Sequence, residues 1–318
     1  MKVLFTGASS FTGFWFVKEL TAAGHDVVAT FRRPDVEAYG DQTRGCRVRL
    51  VQQACQPIFG CSFGDESFVK VIREQGPWDL LCHHAADVTN YKSPDFDVAG
   101  ALANNTRNLV AILEALTATG CRKVLLTGSV FEGGEGAGSE GLPHFSPYGL
   151  SKALTAEVFR FYCRQAELRL GKFVIPNPFG PYEEPRFTAY LMRTWLEGKT
   201  ASVRSPAYVR DNIHVSLLAK AYADYAMRLS DALGSEKLGP SGYVESQGAF
   251  AQRFAGEMSS RLRIPCDLEL LHQKEFAEPS TRINTDPVRG DTWGWKEAAA
   301  WDETAQYYQD GLAGKSVV

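Results

Sequence analysis

Tyr148 and Lys152 stand four residues apart in the stretch Y-G-L-S-K. On a helix that spacing puts both on one face. A phenol titrates near pH 10 and is a poor acid or base at neutral pH. A lysine charge about 4 Å away stabilises the phenolate by roughly 4 kcal/mol at an effective dielectric of about 20. That corresponds to about three pKa units and brings the phenol towards neutrality, where a general acid or base works best. The pair therefore reads as proton-transfer machinery, with a plain surface pair as the alternative.

A second set of residues has the types and spacing to hold an anion. T-G-A-S-S-F-T-G (residues 6–13) follows the apolar run Val3–Phe5 and leads into helical periodicity from Thr12 to Ala23. Gly7 permits a tight turn, and Gly13 permits close packing of helix on strand. The N–H groups at the helix start, around Ser9, Ser10 and Phe11, face a pyrophosphate. Ser10 stands where a central glycine is often found, and its small side chain carries a hydroxyl that can donate to a phosphate. An ordinary strand-to-helix turn is the plainer reading. The next strand ends T-F-R-R-P, with Phe31 where an acid would hold the ribose of NAD. Arg32 and Arg33 follow, and an arginine there accommodates the 2′-phosphate of NADP. NADP is the expected cofactor, with NAD as the alternative; two solvated arginines are the reading without a cofactor.

Strand-like runs at 3–5, 25–31, 78–86, 123–128 and 171–176 alternate with helical segments at 12–23, 67–76, 100–120 and 147–166. This alternation predicts an α/β fold with a parallel, doubly wound sheet. The Gly-rich stretch 132–146 lies between two motifs and reads as an active-site loop or a linker. Beyond residue 176 the pattern is irregular and proline-rich. The expected division is a dinucleotide-binding domain at 1–175 with about 211–233, and a substrate lobe at about 176–210 and 234–318. A net charge of −3 over 318 residues gives no basic footprint for nucleic acid. No apolar stretch approaches the roughly 18 residues of a membrane span. With a strand from Lys2, no signal peptide is expected, and the seven scattered cysteines read as free thiols in a reducing cytoplasm. His83 and His84, adjacent on a strand, point to opposite faces, which argues against a metal site.

The motifs together are more specific. T-G-A-S-S-F-T-G, H-H-A-A (83–86), T-G-S (127–129) and Y-G-L-S-K resemble the extended short-chain dehydrogenase/reductase family of NAD-dependent epimerases and dehydratases. P-N-P-F-G-P-Y (176–182), V-R-D-N-I-H-V (209–215) and W-G-W-K (293–296) are similar to later segments of the same family. The resemblance spans nearly the whole chain. It implies a Rossmann-type sheet with a smaller C-terminal substrate lobe, Tyr148 as catalytic acid–base, and Lys152 on the nicotinamide ribose, lowering the tyrosine pKa. It places Ala85 and Ala86 at the cofactor, Ser129 on the reacting oxygen, Asn177 on the substrate and Arg210 on a substrate pyrophosphate. Counting along the strand from Lys123 gives Ser129 as the hydroxyl; matching V-F to the family's V-Y gives Thr127. For Arg210 a structural ion pair with neighbouring acids is the alternative.

Some positions depart from the family pattern. An acid after the third strand is replaced by Cys61, with Asp65 late. Leu102 stands where an asparagine is expected, with Asn104 and Asn105 shifted. Ser216 stands where an aspartate often follows I-H-V. The expected activity is hydride transfer at a sugar C–OH/C=O carbon of a nucleotide-sugar, as an epimerase or reductase, in a homodimer. A ketoreductase of a small non-nucleotide carbonyl is the second reading, and a non-catalytic NADP-binding protein a third.

Overall fold

The computed structural model describes residues 1–40, 43–229 and 234–312. The large sheet has seven strands, β1 (Lys2–Thr6), β2 (Asp26–Thr30), β3 (Gln56–Ile58), β4 (Leu80–His83), β5 (Lys123–Ser129), β7 (Arg169–Ile175) and β11 (Ser235–Leu238). All pair in parallel, in the order β3-β2-β1-β4-β5-β7-β11. Strand pleating divides the apolar residues between two layers: Val3, Phe5 and Leu125 enter one core, Leu4, Val124 and Leu126 the other. Helices α1 (Phe11–Ala22), α2 (Thr43–Val51) and α8 (Val215–Arg228) cover the first face, where Phe16 stacks on Tyr222 with ring centroids 3.9 Å apart. Helices α3 (Glu66–Gln75), α4 (Val98–Asn105), α5 (Leu109–Ala118) and α6 (Pro147–Gln165) lie on the second. The winding reverses between β1 and β4, and ligands of such sheets bind in the crevice at that switch point.

The single helix expected over 100–120 is broken into α4 and α5. Asn108 sits in the left-handed region at φ +52° and donates to Gly64 O at 2.5 Å, while the Thr106 hydroxyl donates to Leu102 O at 2.7 Å. A contact 44 residues away in sequence thus sets the break. The large sheet also runs on through β11, within the stretch read as substrate lobe.

A second sheet contains β6 (Ala137–Gly138), β8 (Asn177–Phe179), β10 (Val209–His214), β13 (Tyr243–Ser246) and β15 (Thr281–Ile283). Two small pairs, β9 (Ala201–Val203) with β14 (Leu268–Leu270) and β12 (Pro240–Ser241) with β16 (Asp286–Pro287), flank it. Helices α7 (Phe187–Leu196), α9 (Gln247–Leu262) and α10 (Glu297–Leu312) close a third core around Phe179, Phe250, Phe254 and Trp301. The register of β10 on β15 sets Arg210 beside Arg282, and that of β10 on β8 sets Asn212 beside Asn177. Among the described residues no helix is long and apolar enough to cross a membrane.

Candidate active site

The glycine turn joins β1 to α1 at the switch point. Gly7 has φ +86°, and a Cβ there would lie 2.7 Å from Ala85 N; a Cβ on Gly13 would lie 2.2 Å from Gly7 O. Both positions require glycine, and Ala85, just after β4, packs directly against the turn. The first turn of α1 contains no acidic residue, so the helix start is a positive end, with Gly13 N capped by the Ser10 hydroxyl. This donor set fits a pyrophosphate. The hydroxyl of Ser10 is not free for it: it donates to Gly7 O at 2.9 Å, accepts from Gly13 N at 3.1 Å and lies 3.0 Å from His84 Nε2. Ser10 is the N-cap of α1, a role serine suits, so the phosphate contact expected of its side chain falls to the backbone.

Arg32, Arg33 and Arg44 are exposed around this turn. Arg33 folds back to donate to Ala38 O and lies 5.3 Å from the Tyr39 ring centre. Arg44, on α2, lies 5.8 Å from the same ring and donates to Ser9 Oγ at 3.1 Å. Arg47, one turn on and fully buried, donates to Ser9 O at 3.1 Å and to Tyr182 O at 2.8 Å, and pairs with Glu184. The sequence reading found Arg32 and Arg33 but neither Arg44 nor Arg47.

Tyr148 and Lys152 open α6. Ser146 caps the helix, accepting from Gly149 N at 3.2 Å, and Pro147 takes the first position, where its missing N–H costs nothing. Tyr148 is thereby held between Tyr91 and Phe96, with ring centres 5.6 and 5.9 Å away. The expected lysine–phenol coupling is not what the side chains show. Lys152 Nζ donates to Thr127 O at 2.6 Å, at the end of β5. Burial pushes the Tyr148 phenol up from its ordinary value, Glu132 pushes it further, and Arg186 is the cation that opposes them. Burial pulls Lys152 down to about 8, against Glu132, which supports its charge.

Both candidate hydroxyls lie on β5. Thr127 Oγ1 is buried and lies 3.0 Å from His84 Nδ1. Ser129 is half-buried; its Oγ accepts from Phe131 N at 3.2 Å and keeps its proton to donate. His84 also lies 3.1 Å from Thr12 Oγ1. Burial, with the Lys152 charge second, pulls His84 to about 3, so the ring is neutral and bridges the glycine turn to β5. His83 faces the other way, between Phe63 and Phe159, as adjacent strand residues must. Among the described residues no group of three His, Cys, Asp or Glu side chains could hold a metal. Asn105, one of the shifted asparagines, is buried, accepting from Asp87 N at 2.8 Å and donating to Thr155. Ser216 lies 2.7 Å from His214 Nδ1 and accepts from Trp295 Nε1 at 2.9 Å, tying the W-G-W-K segment to the start of α8.

A cavity of about 190 Å³ lies beyond β5, lined by Phe131, Phe145, Asn177, Arg210, Glu278 and Arg282. Asn177 and Arg210 do meet here. Arg210, however, pairs with Glu278 at 2.6 Å and donates to Val209 O, Pro279 O and Ser280 O at 2.8–3.3 Å. Arg282 donates to Val130 O at 2.6 Å and Glu132 O at 2.7 Å. Neither Glu278 nor Arg282 was singled out from sequence; an isolated arginine in the short strand T-R-I was the available signal.

The family model described as the NAD dependent epimerase/dehydratase family matches residues 3–235. The chain belongs to this family. The matched span takes in the glycine turn, H-H-A-A, β5, Y-G-L-S-K and β10. No curated protein matches the sequence. Among solved structures, the chain is similar in fold to UDP-glucuronic acid 4-epimerase from Bacillus cereus in complex with UDP-glucuronic acid and NAD. The identity is 16%, over 98% of this chain and 99% of that one, with a TM-score of 0.74. It is similar to UDP-glucose 4-epimerase from Thermotoga maritima with UDP-glucose, at 20% identity over 98% and 100% of the two chains and a TM-score of 0.70. It is also similar to the dTDP-glucose 4,6-dehydratase DesIV from Streptomyces venezuelae, at 18% identity over 99% and 98%, with a TM-score of 0.70.

Proposed function

We propose that the chain is a nicotinamide-dependent enzyme acting on a nucleotide-sugar, as an epimerase or reductase at a sugar C–OH/C=O carbon. The observation that carries this reading is a continuous path of contacts between the two motifs. It runs Ser10 to His84 at 3.0 Å, His84 to Thr127 at 3.0 Å, and Lys152 to Thr127 O at 2.6 Å. The turn that would hold the cofactor and the pair that would move the proton are thus fixed to one another. Similar structures were solved with UDP-glucuronic acid, UDP-glucose and NAD, which supports the substrate and cofactor class.

Gly7, Gly13 and the amides at the start of α1 would hold the pyrophosphate, with Ala85 and Ala86 bounding the crevice. When bound, the nicotinamide supplies two-electron chemistry, accepting or donating a hydride at the sugar carbon. Tyr148 moves the proton at the sugar oxygen, and Ser129 donates a hydrogen bond to it; Thr127 is the less suited hydroxyl, because His84 already engages it. Lys152 supplies the positive charge beside the nicotinamide ribose. Asn177 and Arg210 face the substrate. NADP is preferred over NAD in this reading, because Phe31 is buried where an acid would stand and Arg32, Arg33 and Arg44 surround the turn. A homodimer is supported by Val110, Leu154 and Phe161, exposed on the neighbouring helices α5 and α6. A cytoplasmic setting is supported by seven cysteines that form no disulfide.

One observation favours the second reading, a ketoreductase of a small carbonyl: Glu278 already occupies the Arg210 guanidinium, and the cavity is small. Thermal-shift titration separates the two. NADP(H) is expected to stabilise the chain more than NAD(H), and at least one UDP-, dTDP- or GDP-sugar to add to that. No response to any sugar nucleotide at millimolar concentration, with the cofactor bound, sinks the nucleotide-sugar reading.

A further inference from the structure

The loop after β5 carries a buried carboxylate that the sequence reading passed over. Glu132 is fully buried. Its Oε1 accepts from Ser129 N at 2.7 Å, and its Oε2 pairs with Lys172 Nζ at 2.5 Å. Lys172, on β7, is buried too and pairs with Glu135 at 2.7 Å; Glu135 in turn lies 3.0 Å from Lys237 on β11, which reaches solvent. Burial pulls Lys172 down, but the two carboxylates more than offset it and hold it charged. Gly128 makes this possible: a Cβ there would lie 2.7 Å from the Lys172 side chain and 2.9 Å from Glu132 Oε1. Burying charge is costly unless it is paired and hydrogen-bonded. Here every carboxylate of the trio has a cation, and Glu132 faces the two residues assigned to proton transfer.

We propose that Glu132, anchored by Lys172, is a positioning residue: its carboxylate fixes the backbone of Ser129 and supplies the negative charge that faces Lys152 and Tyr148. The proposal rests on the reading of Tyr148 and Lys152 as the acid–base pair. The charged and titratable groups around Lys152 and Glu132 are these. The loop after β5 contributes Glu132 and Glu135, α6 contributes Tyr148, and β7 and β11 contribute Lys172 and Lys237. Around the other sides stand Arg282 from β15, Arg186 before α7, Tyr91 after β4, and His83 and His84, both pulled to about 3 by burial. Among the charges acting on Lys152, Glu132 is the largest and Lys172, which opposes it, the second. Burial holds Tyr148 in its phenol form with Glu132 acting in the same direction, and against the pull of burial Glu132 supports the charge on Lys152.

The test is an NMR titration of isotope-labelled lysine side chains in the folded chain, with the Lys152 signal assigned by its loss in Lys152→Met. Glu132→Gln keeps an acceptor for Ser129 N but removes the charge. Its Lys152 midpoint is expected to fall by about one unit from about 8. Glu135→Gln breaks the same Lys172 network without facing the pair, and its midpoint is expected to stay. If Glu132→Gln does not fold, Glu132→Gln with Lys172→Gln removes the buried charges together and is expected to shift the midpoint in the same direction by less. An unmoved midpoint on loss of the Glu132 charge, or an equal shift in Glu135→Gln, overturns the proposal. The titration needs neither substrate nor cofactor, so its failure is distinct from failure to turn over a nucleotide-sugar.

Discussion

At the glycine turn, Arg32, Arg33 and Arg44 are exposed, and the strongest donors are backbone amides at the start of α1. In the cavity beyond β5, Arg210 and Arg282 are more than nine-tenths buried and their guanidiniums are engaged by carbonyls or by Glu278. The first region keeps these three cations at the surface, Arg33 and Arg44 held by Ala38 O, Ser9 and the Tyr39 ring rather than by a carboxylate, so removing one costs the fold little and shows mainly in ligand binding. The second commits its cations to the fold, where they order the chain around β15 as well as facing the cavity. A buried arginine in such a pocket therefore reports on stability and binding at once, and the two must be measured together.

The largest effect is expected between the two regions. Tyr148→Phe should lower turnover at least a hundredfold, the scale of a positioned acid–base group, with an unchanged thermal midpoint, because one hydroxyl is lost. Near-normal turnover would remove the mechanism that joins the regions.

Between Thr188 and Tyr308, Glu183 is a buried carboxyl that accepts from the two hydroxyls at 2.6 and 2.9 Å, and among the described residues no cation is bonded to it. Burial raises it from 4.5 to about 7. A raised folded-state pKa gives stability that is fully present below the unfolded value and lost as pH rises through the folded one. Between about pH 4.5 and 7 the chain should lose up to about 3 kcal/mol from this group. Glu183→Gln should flatten that slope in denaturant melts; an identical slope in the variant would show that Glu183 is not the titrating group.

Arg210→Ala should weaken a bound sugar nucleotide ten- to a hundredfold, since a charge-assisted hydrogen bond contributes about 1.5–3 kcal/mol, and should also lower the thermal midpoint. Glu278→Gln should strengthen the same binding by freeing the guanidinium. Calorimetric titration of both variants checks this; weaker binding in Glu278→Gln would mean that Arg210 serves the fold alone.

The smallest effect belongs to the exposed side. Arg44→Ala should reduce NADP(H) affinity roughly tenfold, within the range of one charge-assisted contact, and leave both the thermal midpoint and NAD(H) affinity in place. Equal losses for the two cofactors would place Arg44 away from the 2′-phosphate.

The same division governs what the sequence reveals. β1, β2, β4, β5 and the start of α6 are legible because their signals are local: apolar runs of strand length, glycine at the turn, Ser146-Pro147 before a periodic stretch. The placing of Gly7 after β1, Ser129 at the end of β5 and Tyr148 and Lys152 at the start of α6 follows from that order of elements. What is not legible depends on contacts made far along the chain. The break between α4 and α5 is set by Gly64, and the state of Lys152 by Thr127 and Glu132. Helix α2 hides its role because Arg44, Arg47 and Arg49 interrupt any apolar pattern. Lys172 offered a clue, as a lysine in the apolar strand R-L-G-K-F-V-I requires a buried partner.

The central claim is that the crevice joins nicotinamide chemistry to a nucleotide-sugar through Tyr148. Its most direct test is single-turnover mixing of the wild-type protein, carrying stoichiometric NADP(H) in either redox state, with UDP-, dTDP- and GDP-sugars, followed by nicotinamide absorbance. The account predicts oxidation or reduction of the cofactor with at least one sugar nucleotide, and none with Tyr148→Phe. A wild-type protein that binds the cofactor yet leaves its redox state unchanged with every one of them would contradict it.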